Sequence, residues 1–131
     1  MKAFVVAAED RPGELARISQ ALGEAGVNIT ALAGLTQAGA GLIGFVVSDE
    51  AGARGALRGA GIAARELEVL PIALADTPGA LAAAARKLAG AGLNVELFLP
   101  TGVSHGKATG VLAVSDARKA RALLGDLVVE A

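Results

Sequence analysis

Residues 10–29 and 76–95 are two versions of one segment. Asp10-Arg11-Pro12-Gly13-Glu14-Leu15-Ala16 returns as Asp76-Thr77-Pro78-Gly79-Ala80-Leu81-Ala82, and the match continues through Leu22/Leu88, Gly26/Gly92, Asn28/Asn94 and Ile29/Val95. The offset holds at 66 positions throughout, which marks a tandem repeat and limits the chain to architectures built from two like units. The 131 residues amount to one ordinary domain or two very small ones. Each half alone is near the size at which burial barely offsets conformational entropy, so the halves are expected to share a core or a continuous sheet.

Each copy reads as β-α-β-β-α-β. Residues 2–8 are a short apolar run closed by a turn at 10–13, a strand leading into a helix. Pro12 suits the first helical turn, where a missing N–H costs nothing, and Glu14 is well placed near the positive end of the dipole. Leu15, Ile18, Leu22 and Ala25 recur at helical spacing as one apolar stripe to be buried, with Leu81 and Leu88 as counterparts. Gly26 stops the helix. A strand over 27–36, a hairpin turn at 37–41 and a strand over 42–47 follow. Ser48 or Asp49 caps a second helix ending near 59–61, and 62–67 is the last strand. Gly52 and Gly55 inside that helix each cost about 0.5–1 kcal/mol relative to Ala, making it the softest element.

The second copy repeats the order as strand 69–75, helix 78–91, strand 93–99, turn 100–107, strand 108–114, helix 116–125 and strand 127–130. Past Gly110 the offset grows to 67, which asks for one inserted residue in the loop or at a strand end. No linker separates the halves, and Pro71 is expected on an edge or at a bulge. The chain is therefore expected to be α+β, with unit 1 over 1–67 and unit 2 over 68–131. Each carries both helices on one face of an antiparallel sheet, and right-handed crossovers place its first and third strands in the middle. Joined edge to edge, the units would form one eight-stranded sheet.

Composition removes several function classes. Net charge is −1 with Lys and Arg scattered, and there are three Phe and no Tyr or Trp. Neither the basic footprint nor the stacking platform of a nucleic-acid binder is present. The absence of Cys and the single His leave no thiolate nucleophile and no Cys or multi-His metal site. Gly39-Ala40-Gly41-Leu42-Ile43-Gly44 mimics a dinucleotide fingerprint but precedes a strand, so no cofactor is called for. No Ser-His-Asp order and no Walker loop are found. No apolar run reaches about 18 residues, and acidic residues arrive too early for a signal peptide, so a soluble cytoplasmic protein without membrane contact is expected. His105, Ser104 and Lys107 read as solvated loop residues, and Arg54, Arg58, Arg118, Lys119 and Arg121 as a solvated helix face.

The Asp-x-Pro-Gly turn is the feature with chemistry in it. As structure it is a strand-to-helix turn. As a site it sets N–H groups of residues 13–15 at a helix start, where they favour an anion, beside an Asp10 carboxylate able to hold an ammonium group. Asn28, past the helix, can donate and accept. Carboxylate, amide and helix N-terminus together are what an α-amino acid zwitterion requires.

The stretch Asp10-Arg11-Pro12-Gly13-x-Leu15-Ala16-x-Ile18 running on to Gly26-Val27-Asn28-Ile29 resembles the signature of the ACT domain, a small regulatory module of amino-acid metabolism, and both copies match it. The resemblance implies a ferredoxin-like unit that pairs side by side with another. It also implies an amino-acid ligand between the first loop of one unit and the Asn-bearing strand start of its neighbour. Carried over, the ligand-binding positions are Asp10, Arg11, Pro12, Gly13, Glu14, Leu15 and Asn28, and in the second copy Asp76, Gly79 and Asn94. Residue 8, which carries a polar contact in some members, is Ala8 here and Leu74 in the second copy. Thr77 replaces Arg11 and Ala80 replaces Glu14, so the first copy is expected to be the better site, with Arg11 as a fixed cation.

The leading expectation is a stand-alone, non-catalytic tandem ACT protein that binds an amino acid or similar small zwitterion as a homodimer. A second is a regulatory subunit docking on a separate enzyme of amino-acid metabolism, in the manner of acetolactate synthase small subunits. A third is an acylphosphatase-like enzyme on the same fold, which needs Arg11 and Asn28 to converge on a phosphate.

Overall fold

The computed structural model describes residues 1–129. These divide into two compact units, an N-terminal one over Lys2–Leu67 and a C-terminal one from Glu68 onward that also takes in Met1. The N-terminal unit runs β1 (Lys2–Glu9), α1 (Glu14–Glu24), β2 (Ile29–Gln37), β3 (Ala40–Val47), α2 (Glu50–Gly59) and β4 (Arg65–Glu68). The C-terminal unit runs β5 (Leu70–Ala75), α3 (Ala80–Gly90), β6 (Val95–Ser104), β7 (Lys107–Val114) and α4 (Ala117–Leu124), then a 3₁₀ turn, Gly125–Leu127.

The βαββαβ order thus occurs twice, and the strands form two separate antiparallel sheets. One has four strands in the order β2-β3-β1-β4, the other three in the order β5-β7-β6. The expected single eight-stranded sheet is not what these strands make. At the junction β4 and β5 are parted by one residue, Val69, whose N–H donates to the Met1 carbonyl at 3.0 Å, and each strand joins its own sheet. Among the described residues the fourth strand of the C-terminal unit is one bridge, Ile72 to Val128, because the 3₁₀ turn occupies the preceding residues. Residue 130, the end of the expected last strand, lies outside the described residues. Pro71 sits on β5 at the end of its sheet order, where its missing N–H is tolerated, and its carbonyl accepts from Val129 at 2.9 Å.

The middle positions of β1 and β3 follow from the crossovers. Alternate residues Phe4, Val6, Ile43 and Phe45 face Ile18 and Leu22 of α1 and Ala53 and Leu57 of α2 in one core. Phe4 and Phe45, paired across the strands, stack with ring centroids 5.7 Å apart. In the C-terminal unit Leu70, Ile72, Leu74, Leu112 and Val114 meet Ala84, Leu88, Ala120 and Leu124. Both helices of each unit therefore lie on one face of its sheet.

Three helices end alike, which shortens the strands that follow. At α1 the N–H of Gly26, in the left-handed region at φ 73°, donates to the Gly23 carbonyl, and the Val27 N–H donates to that of Leu22 at 2.9 Å. Gly61-Ile62 and Gly92-Leu93 repeat the motif. Val27, Ile62 and Leu93 are buried as the apolar anchors of these caps, so β2, β4 and β6 begin later than strand propensity alone suggests. Asp49, and not Ser48, caps α2 by accepting from the Gly52 N–H. Arg54 on α2 reaches Glu66 on β4, Nε to Oε2 at 2.8 Å, which takes it out of the expected solvated face.

The inserted residue of the second copy lies inside a strand, at Thr101. Pro100 pairs with Gly110 and Gly102 with Thr109, leaving Thr101 as a bulge whose hydroxyl donates to Thr109 Oγ1 at 2.9 Å. Residues 100–104, expected to be a turn, continue β6 because an edge strand accommodates Pro100. The hairpin turn is only His105-Gly106, the counterpart of Ala38-Gly39, and all four residues have positive φ. Ala38 at φ 53° carries a cost that Asn does not. Ala38→Asn is expected to stabilise the N-terminal unit by about 0.5–1 kcal/mol, read as a higher urea midpoint at unchanged slope.

Candidate functional site

The loop between β1 and α1 is held from both sides. The Asp10 N–H donates to the Gly39 carbonyl in the β2–β3 turn at 3.1 Å, and the Arg11 N–H to the Glu9 carbonyl at 2.9 Å. The other copy repeats both bonds, from Asp76 to Gly106 and from Thr77 to Ala75, at 2.9 Å. Gly13 ends the loop as the N-cap, at φ 95° and ψ −9°, with no side chain capping the helix. Helix α1 therefore starts at Glu14, two residues after Pro12, and Pro12 lies in the loop and not in the first helical turn.

This entry rotates the helix relative to the expected stripe. Glu14, Ile18 and Leu22 face inward, while Leu15 is 50% exposed and its counterpart Leu81 is exposed too. Leu15 and Leu81 are thus not core residues. A Cβ at Gly13 meets no atom within 4 Å, so the position is constrained by backbone angle alone. Gly13→Ala is expected to cost about 1–2 kcal/mol in chemical denaturation, as is Gly79→Ala at φ 88°.

Glu14 is only 8% exposed and organises the charges at the loop. Arg11 Nε donates to Glu14 Oε1 at 2.7 Å, Arg17 Nη2 to Glu14 Oε2 at 3.1 Å, and Arg11 Nη1 lies 3.1 Å from Glu9 Oε2. Arg11 is therefore not a spare cation waiting for a ligand; two carboxylates already engage it. Its hydrogen bond to Glu14 and the charges of Glu9 and Glu14 raise its pKa. Hydrogen bonds from Arg11 and then Arg17 hold the Glu14 carboxyl below the usual carboxylate range, against the opposing effect of desolvation. Because the folded value is the lower one, this stabilisation is complete above the ordinary carboxylate pKa and is lost as pH falls through the folded value. Glu14→Gln is expected to flatten the fall in Tm below about pH 5, checked by melting wild type and variant across pH.

Asp10 differs from Glu14. Its side chain is exposed and makes no hydrogen bond or ion pair among the described residues. Asp76 is likewise exposed in the other copy.

Beside this loop lies a cleft of about 410 Å³, between the start of α1 and the edge strand β2. Asp10, Arg11, Glu14 and Leu15 line it from the loop and α1, which form its mouth, and Ala8, Leu32, Gly34, Thr36, Gly41 and Ile43 from the sheet, its floor. The floor exists because small residues coincide in register: Ala8 pairs with Gly41, and Gly34 with Ile43. Of these residues the sequence had pointed only to Ala8. The signal for them was in the repeat itself, where Leu74 and Pro100 stand at the positions of Ala8 and Gly34.

The C-terminal unit fills the same space. By register Gly110 replaces Ile43 and Phe98 replaces Leu32. The Phe98 ring lies directly over Gly110, about where a side chain there would begin, with Cζ 3.1 Å from the ideal Cβ position. Leu74 is buried in that core.

Asn28 is not at the cleft of its own unit. Its backbone pairs with Ser48 at the start of β2, whereas Glu9 and the loop adjoin Ala40 and Gln37 at the far end of that strand. Its side chain is exposed, and Asn94 stands in the same relation to Ser115. Arg11 and Asn28 consequently do not converge within the unit, so the arrangement that an acylphosphatase-like site needs is not formed there. No helix among the described residues is long and apolar enough to cross a membrane, and they contain no metal-ligating cluster.

Residues 3–58 match the family model of the ACT domain. No curated protein matches the sequence. Among solved structures the chain is similar to a protein of Bacteroides thetaiotaomicron, at 26% identity over 94% of this chain and 85% of that one, with a TM-score of 0.81. It is also similar to the ligand-free regulatory subunit of aspartate kinase from Thermus thermophilus, at 20% identity over 96% and 90%, TM-score 0.66. The corresponding subunit from Thermus flavus gives 21% identity over 94% and 86%, TM-score 0.65. The segment that carries the loop, the cleft and most of the first core, from β1 into α2, thus has the sequence pattern of an ACT domain.

Proposed function

We propose that the chain is a non-catalytic regulatory protein made of two ACT domains, 1–67 and 68–131, that binds an amino acid at the N-terminal one. The observation that carries this reading is the cleft beside the Asp10 loop, in the segment that matches the ACT model, where the repeat has Leu74 and Phe98 at the corresponding positions. The ligand carboxylate lies on the N–H groups at 13–15, which no side chain caps, and its ammonium group meets the unpaired Asp10 carboxylate. Arg11 and Glu14 hold the loop through their ion pair. Asn28 enters from a second copy, since its own unit keeps it at the other end of β2, and a homodimer is the assembly this asks for. The C-terminal unit, with Asp76, Gly79 and Asn94, keeps the loop as structure.

A thermal-shift screen of the twenty amino acids tests the reading, because a ligand that binds only the native state raises Tm. At about 100 times its Kd it adds roughly 2.7 kcal/mol. No shift with any of them refutes it. A second reading, a subunit that docks on a separate enzyme of amino-acid metabolism, is favoured by the use of this fold in aspartate kinase regulatory subunits. Such a partner co-purifies with the tagged chain and responds to the same amino acid.

A further inference from the structure

We infer that the cleft selects amino acids with an uncharged aliphatic side chain, and that its selectivity is set by Ala8 and Gly34. The inference rests on the reading of the Asp10 loop as an amino-acid site. On the sheet side the cleft offers Ala8, Leu32, Gly34, Gly41 and Ile43, with Thr36 as the one uncharged polar side chain, so a side chain entering there meets mostly carbon and backbone. Apart from Asp10, the charged groups at the cleft are committed to one another, Arg11 to Glu9 and Glu14, and Glu14 to Arg17. A side-chain carboxylate pushed into the cleft finds no unpaired cation, and a side-chain ammonium group finds only Asp10, which the α-ammonium group already takes, so either loses its water without compensation. An aliphatic side chain loses nothing by leaving water and gains by the area it buries. Asp10, the one loop carboxylate without a partner, faces the requirement of the α-ammonium group instead.

The space depends on two missing side chains. A Cβ at Gly34 lies 3.7 Å from Ile43 Cγ1 and 3.8 Å from the Leu42 carbonyl, ordinary contacts that the fold tolerates. The added methyl groups of Val at that position project over the floor. Ala8 sits opposite Gly41 on β3, and the repeat shows that Leu is accommodated there, as Leu74. Gly34→Val and Ala8→Leu therefore fill the cleft from two strands with residues that the fold accepts.

The test is calorimetric titration of the intact chain with L-leucine, L-isoleucine, L-valine, L-alanine, L-aspartate, L-lysine and L-glutamine. Leucine, isoleucine or valine is expected to bind at least 10-fold more tightly than aspartate, lysine or glutamine. Gly34→Val and Ala8→Leu, each melting as a folded protein, are expected to weaken the branched ligands at least 10-fold while changing alanine less than 3-fold. Tighter binding of a charged or amide side chain overturns the inference and leaves the amino-acid reading intact. So does an affinity for leucine unmoved by both substitutions. Binding of none of the seven overturns it as well, and a positive response elsewhere in the full twenty-member screen then tells whether the functional reading survives.

Discussion

Leu22→Ala is expected to lower the stability of the N-terminal unit by about 2–5 kcal/mol. Leu22 is fully buried in the cluster that joins α1 to Phe4, Val6 and Phe45. It also holds the end of its helix, since its carbonyl accepts the Val27 N–H and Val27 packs into the same cluster. The side chain cannot be replaced by collapse of its neighbours, because the stacked Phe4 and Phe45 rings and the cap at Gly26 fix the walls of the hole. Leu15→Ala, two turns earlier on the exposed side, is expected to change stability by less than about 0.5 kcal/mol. Urea titration followed by amide exchange in β1 and β3 reads both. Equal effects from the two substitutions would show that the burial of α1 had been assigned to the wrong face.

Asp10→Ala is expected to weaken amino-acid binding by about 1–3 kcal/mol, roughly 5- to 150-fold, the scale of a charge-assisted hydrogen bond. The side chain has no partner among the described residues, so its removal leaves the folded state unstrained and the loss falls on the ligand alone. Asp76→Ala is expected to do much less. Its loop has the same latch to a hairpin turn, but Leu74 and Phe98 occupy the space a ligand needs. Calorimetry on the two variants, with Asn28→Ala and Asn94→Ala beside them, separates the contributions. An affinity indifferent to all four sinks the site and leaves the fold untouched.

The repeat and its periodicities were enough to give the βαββαβ order, the middle strands of the N-terminal unit and the helix stops. These follow from short-range physics: alternation along a strand, a Gly that turns left-handed after a helix, an Asp that caps the next one. Asp10, Gly13 and Glu14 could be singled out for the same reason, since each belongs to one local turn. Their tasks could not be separated that way. That Glu14 is buried and paired while Asp10 stays unpaired depends on Arg17, one turn up the helix, and on the rotation that Gly13 gives to α1.

What only the tertiary structure decided lies across strands. Ala8, Gly34 and Gly41 are far apart in sequence and unremarkable singly, and they make a cleft only because antiparallel register sets them side by side. Register likewise placed Asn28 at the opposite end of β2 from the loop of its own unit, and located the inserted residue at Thr101 within β6. Local sequence determines which way each residue points along its own strand or helix. Which residues become neighbours is a property of pairing between segments, and for this protein that pairing opened a cleft in one copy of the repeat where Leu74 and Phe98 stand in the other.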